Sequence, residues 1–275
     1  MGKTFEKVTF KKRLKSMLKV DTKRLFLSPF FYIMVGISFV VPILILVMTT
    51  MMEGTVSVNP QTGLPGEPME GFDFVWQILG SVSDGAAQQP TDQAAMSMDL
   101  VSMCNINMMF FAVAVLVCIF IADDFRSGYA KNLFTVRAKK TDYVISKTLV
   151  CFIGSACMLV AFFVGSVIGG GVAGLPYTMD GFNGLNLLFC MLSKILLLPV
   201  FVSIFTVMSV IAKQKAWLSI CLSLGVGMLL FMMIPTLTPL NASIVHVLGC
   251  LAGGVLFAVG LGAISNLILK KTSLV

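Results

Sequence analysis

The sequence predicts an all-α, polytopic integral membrane protein: six transmembrane helices behind a basic interfacial helix, with both termini cytoplasmic. Composition is the first reason. Of 275 residues, 57% are hydrophobic and 12% charged, and the mean hydropathy is +0.94. A water-soluble globule of this size could not cover its surface with so few polar groups. The second reason is that the apolar residues fall in long uncharged runs, and about 20 such residues make a helix that crosses about 30 Å of hydrocarbon. The third is the placement of Lys and Arg in short blocks between alternate runs, which fixes membrane orientation. A net charge of +7 would also suit an anionic partner such as nucleic acid, but that placement assigns it to topology instead.

Residues 1–27 form a basic amphipathic N-terminal segment. Nine Lys and Arg residues (Lys3, Lys7, Lys11, Lys12, Arg13, Lys15, Lys19, Lys23, Arg24) face only Glu6 and Asp21, while Phe10, Leu14, Met17 and Leu18 recur at helical spacing. Such a helix is expected to lie on the cytoplasmic leaflet. A cleaved signal peptide does not fit, because the 28-residue uncharged run Leu25 to Met52 is far longer than a signal core.

Residues 28–275 read as a single transmembrane domain. Span 1 starts near Ser28-Pro29 and contains Pro42. The loop 53–102 follows, with seven acidic residues between Glu53 and Asp99 and no Lys or Arg. Its Pro, Gly and Gln content predicts an irregular extracellular segment, and its apolar patch Phe72 to Val82 is expected to pack back on the membrane surface. Span 2 is predicted over Met103 to Ala122. Span 3 runs from Val144 to Gly169-Gly170-Gly171, where missing side chains end or loosen the helix. Span 4 covers Leu188 to Ala212 and span 5 Ala216 to Ile234. Pro235, Pro239 and Asn241 then separate span 6, Ile244 to Leu269. The short span 5/6 connection argues against an extensive re-entrant element there.

Nineteen of the 20 Lys and Arg residues fall on one side: nine at the N-terminus, six in region 123–147, two at Lys213 and Lys215, two at Lys270 and Lys271. By the positive-inside rule that side is cytoplasmic. The exception, Lys194, lies toward the outer end of span 4, and the expectation is that its ammonium snorkels to the headgroups. Asn105, Asn107 and Lys194 are the candidate residues of a translocation path. Gly165-x-x-x-Gly169 and Gly249-x-x-x-Gly253 are read as close helix packing inside one subunit.

Catalysis has little material. His246 is the only histidine, the seven cysteines contain no Cys-x-x-Cys, and no acid, His or Cys cluster occurs in the spans, so neither a metal site nor an enzyme is expected. There is also no Gly-x-x-x-x-Gly-Lys-Ser/Thr phosphate loop.

The remaining signal is a charged island between spans 2 and 3, running from Ala122 to Tyr143 and on to Ser146-Lys147. It lies between uncharged runs of 23 and 32 residues. Asp123-Asp124 ends span 2, Gly128 permits a sharp turn, and Tyr129 to Val136 is long enough for about two helical turns. Tyr129 and Leu133 share a face with Phe134 adjacent, which predicts docking into a partner pocket. Thr141 or Asp142 is expected to cap span 3.

This pattern resembles the ABC-2 type permease family, the membrane subunits of ATP-binding cassette exporters. The matching residues are Asp123-Asp124, Arg126, Gly128-Tyr129, Lys131-Asn132-Leu133, the basic group Arg137-Lys139-Lys140, and Tyr143 with Ser146-Lys147. The six-span plan and basic N-terminal helix match as well. The resemblance implies that loop 123–143 is the coupling loop to a separate nucleotide-binding subunit. Tyr129, Leu133 and Phe134 would then be apolar anchors, with Asp123, Asp124, Arg126 and Lys131 setting orientation and Gly128, Asn132 and Arg137 completing the surface.

On that resemblance the chain exports a hydrophobic or peptide-like substrate across a bacterial plasma membrane, working as a homodimer or heterodimer. It holds no cofactor itself; ATP and Mg²⁺ belong to the partner. The alternative is a secondary transporter or channel without an ATPase.

Overall fold

The structure, a computed structural model, describes residues 9–52, 72–80, 105–135, 139–179 and 182–271. These form helices and no strands. Helix α1 spans Phe10–Leu27 and ends because Ser28 precedes Pro29: the proline ring disfavours helical geometry before it, and Ser28 is extended (ψ 122°). Pro29 then opens α2, Pro29–Met52, where its missing N–H costs nothing. After the short α3, Asp73–Leu79, a 3₁₀ turn at Ile106–Met108 leads into α4, Met109–Arg126. The rest are α5 (Tyr129–Thr135), α6 (Lys140–Val172), α7 (Gly184–Ala212), α8 (Ala216–Phe231), α9 (Ile234–Leu237) and α10 (Ile244–Lys271).

Among the described residues, five segments are long and apolar enough to cross a membrane: Pro29–Met51, Ile106–Arg126, Lys140–Val172, Gly184–Ala212 and Ile244–Lys271. The sixth expected span is shorter than predicted. Helix α8 has 16 residues, about 24 Å of rise, less than the roughly 30 Å of a bilayer core. Beyond it lie α9 and a turn whose Thr238, Leu240 and Ala242 are buried in the bundle. The connection expected to be a simple short loop therefore packs into the bundle.

Helix α6 is the hub. It touches α1, α2, α3, α4, α7 and α10, and glycines set the distances. A Cβ on Gly165 would lie 2.3 Å from the Phe39 carbonyl oxygen of α2, and one on Gly169 2.9 Å from Ile43 Cα. Helix α6 runs through Gly169-Gly170-Gly171 and ends at Val172, with neighbours packed on the first two glycines: Phe72 and Val75 lie against Gly170, while Gly171 faces open space. The second small-residue pair behaves differently from expectation. Nothing lies within 4 Å of a Cβ built on Gly249 or Gly253, and it is Gly254 that packs on α7, 2.6 Å from the Leu196 carbonyl oxygen.

Helix α3 does not rest on a surface. Phe72, Phe74, Val75, Trp76, Ile78 and Leu79 are all buried, and the Trp76 indole donates to the Thr178 carbonyl at 2.8 Å. The remainder of loop 53–102 up to residue 104, including its acids other than Asp73, lies outside the described residues.

Candidate functional site

The island forms where α4 ends. Asp123, Asp124 and Arg126 occupy its last turn, and Ser127 N–H donates back to the Asp123 carbonyl at 2.8 Å. Gly128 (φ +74°) then makes a left-handed step that side chains disfavour. Its carbonyl accepts from Asn132 N–H at 3.0 Å, which starts α5 across the end of the bundle.

The two acids at 123 and 124 differ in exposure. Asp123 is 64% exposed; Asp124 is fully buried. Asp124 accepts from the Arg24 guanidinium at 2.6 Å and from the Tyr143 hydroxyl at 2.9 Å, and forms an ion pair with the Lys147 ammonium at 2.6 Å. Lys147 also pairs with Asp21 of α1 at 2.9 Å, and the Ser146 hydroxyl donates to the other Asp21 oxygen at 2.6 Å. One turn away Arg13 pairs with Asp142 at 2.9 Å, so Asp142 binds α1 rather than capping α6. Three carboxylates thus face three cations across α1, α4 and α6. Balance matters here, because a buried charge left alone costs several kcal/mol.

Aromatic rings close the network. Arg24 lies 4.0 Å above the Tyr129 ring, and the Lys147 ammonium is 4.2 Å from the Phe120 ring centre. Burial, reinforced by Asp21, pushes the Tyr129 phenol above its ordinary pKa despite Arg24, so the ring stays neutral beneath the guanidinium. Burial also works against the Arg24 charge. Asp124, by charge and hydrogen bond, with Tyr129 and Asp21, outweighs it and raises the Arg24 pKa.

Tyr129, Leu133 and Phe134 are half-buried against their own chain, Leu133 and Phe134 packing on the core and Phe134 lying edge-to-face on Tyr143 with 5.3 Å between centroids. They help hold α5 in place. The exposed face comprises Asp123, Arg126, Ser127, Lys131, Asn132 and Thr135. Arg137 lies outside the described residues.

At the opposite end Lys194 does not snorkel. Its ammonium is buried and donates to Asn107 Oδ1 (2.9 Å), Thr238 Oγ1 (2.9 Å) and the Thr238 carbonyl (3.3 Å). Ten residues separate Lys194 from the start of α7, about 15 Å of helix, which a lysine side chain does not span. Asn105 turns to accept from Asn107 N–H at 3.0 Å, fixing the 3₁₀ turn that presents Asn107. The three candidate path residues are therefore brought together as a clasp on the buried turn after α9. Elsewhere an apolar groove of about 600 Å³ opens between α2, α6 and α7, lined by residues such as Phe39, Phe152, Ala156, Val160 and Ile195.

Comparison with known families bears on what such an island serves. Residues 71–230 match the family model described as ABC-2 family transporter protein, a stretch that runs from α3 through most of α8 and contains the whole island. The chain belongs to the ABC-2 transporter family. No curated protein and no solved structure matches it. Permeases of the ABC-2 family are multi-pass membrane components of transport systems, and they work with ATP-binding subunits.

The sequence carries a partial signal for the network. Met17, Asp21 and Leu25 recur every four residues and all are buried, so an acid sits in the middle of the docking stripe of α1.

Proposed function

We propose that the chain is the permease subunit of an ATP-binding cassette exporter, and that it couples to a separate ATP-binding subunit through the exposed face of the island. The observation that carries this reading is the two-sided build of α5. One side is fixed to α1, α4 and α6 by Tyr129, Phe134 and the Arg24–Asp124–Lys147 network, and the other presents Arg126, Lys131, Asn132 and Thr135 to solvent. A helix so braced transmits force from a docked partner into the membrane helices. Asp123 beside it adds the complementary charge.

In this reading loop 123–143 is the coupling loop, the island end of the bundle is cytoplasmic, and both termini lie on that side of a bacterial plasma membrane. Helix α8 with α9 makes the sixth crossing. ATP and Mg²⁺ reside in the partner, and the permease works as a homodimer or heterodimer. The apolar α2/α6/α7 groove supports a hydrophobic or peptide-like substrate. A secondary transporter centred on Lys194 is less well supported, because Asn107 and Thr238 already engage its ammonium. The test is purification from native membranes in mild detergent: a stoichiometric soluble subunit with a phosphate-binding loop is expected, and a stable preparation without one would overturn the assignment.

A further inference from the structure

Helix α1 uses its circumference in three ways. Met17, Asp21 and Leu25 are buried against the bundle. Lys12, Lys15, Lys19 and Lys23 are exposed at i, i+3, i+7 and i+11, which places them in one row on the opposite side. The only carboxylate of α1 is Asp21, turned inward and paired with Lys147, so the row carries four cations and no acid. Beside the row lie two apolar residues seven apart, Val20 (45% exposed) and Leu27 (69% exposed).

We propose that this lysine row binds the headgroups of anionic phospholipids in the adjacent leaflet. A bilayer surface fits better than an acidic protein because the apolar flank continues into the membrane. Exposed Leu27 is two residues from the start of α2, whose Tyr32, Ile33 and Ile37 are exposed apolar side chains of a membrane-spanning helix. Lysines beside such a boundary are drawn to phosphate, while Val20 and Leu27 enter the acyl region. Lipid engagement also fixes the helix that carries Arg13, Asp21 and Arg24, the α1 half of the ion-pair network. The lysine row and the α5 docking face share no residue, so failure of one leaves the other standing.

The test uses the full-length protein in nanodiscs of phosphatidylcholine alone or with phosphatidylglycerol, read by amine acetylation and mass spectrometry. Each lysine close to an anionic surface gains roughly fivefold in bound population, so labelling of Lys12, Lys15, Lys19 and Lys23 falls about fivefold in the anionic discs, and high salt restores it. Replacing all four with Gln abolishes retention of phosphatidylglycerol in native mass spectrometry. Equal labelling in both discs would overturn the proposal. So would protection that ignores lipid composition and appears only when the ATP-binding partner is added.

Discussion

Replacing Asp124 with Asn keeps the side chain's shape and removes one of the three carboxylates that balance Arg13, Arg24 and Lys147. Lys147 is fully buried and loses its 2.6 Å partner, keeping only Asp21; Arg24, partly exposed, keeps only the distant Asp123 at 3.8 Å. Breaking one side of a buried ion pair costs about 3–5 kcal/mol. At 2–4 °C per kcal/mol for a chain of this size, thermal unfolding in detergent should fall by roughly 6–20 °C. Asp123→Asn, one residue away and exposed, should change stability by less than about 0.5 kcal/mol. Adding Lys147→Met to Asp124→Asn removes both ends of the 2.6 Å contact, so the two losses should be less than additive, although Asp21 is left without its cation. An Asp124→Asn protein as stable as the parent, or a double variant whose two losses simply add, would refute the claim that this network holds the island.

Other outcomes follow from the same geometry. Arg126→Glu with Lys131→Glu should weaken partner binding by at least about tenfold while leaving unfolding unchanged, measured by co-purification and thermal melts. Tyr129→Asp with Leu133→Asp should lower the melting temperature as well as partner binding, because both side chains pack on their own chain. Lys194→Met removes three hydrogen bonds of about 0.6 kcal/mol each in a membrane interior, near 2 kcal/mol in all; the loosened segment should speed maleimide labelling of buried Cys190, whose thiol contacts the Thr238 carbonyl. Gly165→Ala should destabilise by about 1–3 kcal/mol through its clash with the Phe39 carbonyl, whereas Gly249→Ala and Gly253→Ala should leave the isolated subunit's melting unchanged.

The apolar helices were legible because composition and length alone constrain a chain in hydrocarbon. Residues 29–52, for instance, carry no charge and begin with a proline suited to a first helical turn. The island was legible as an interruption in that pattern, and Gly128 marked its turn. Which side of α5 faces outward was not, because the answer depends on Arg24 and Lys147, separated from Asp124 by 100 and 23 residues. Amphipathicity shows that Tyr129 and Leu133 share a face but not whether their own chain or a partner covers it. Lys194 misled for a related reason: counting it toward a helix end invoked snorkelling, and nothing local announces that Asn107 and Thr238 converge on it. The apolar patch Phe72 to Val82 has the composition of a surface-seeking segment, yet the glycine at 170 leaves the space in which Phe72 and Val75 are buried.

The most direct measurement of the coupling role is site-specific photocrosslinking in native membranes, with the probe placed at Asn132 on the exposed side of α5 or at Phe134 on the inner side. The probe at 132 should capture a soluble ATP-binding subunit, and the probe at 134 should crosslink within the permease. Capture of that subunit from 134 and not from 132, or from neither position, would contradict the assignment of the outward face as the docking surface.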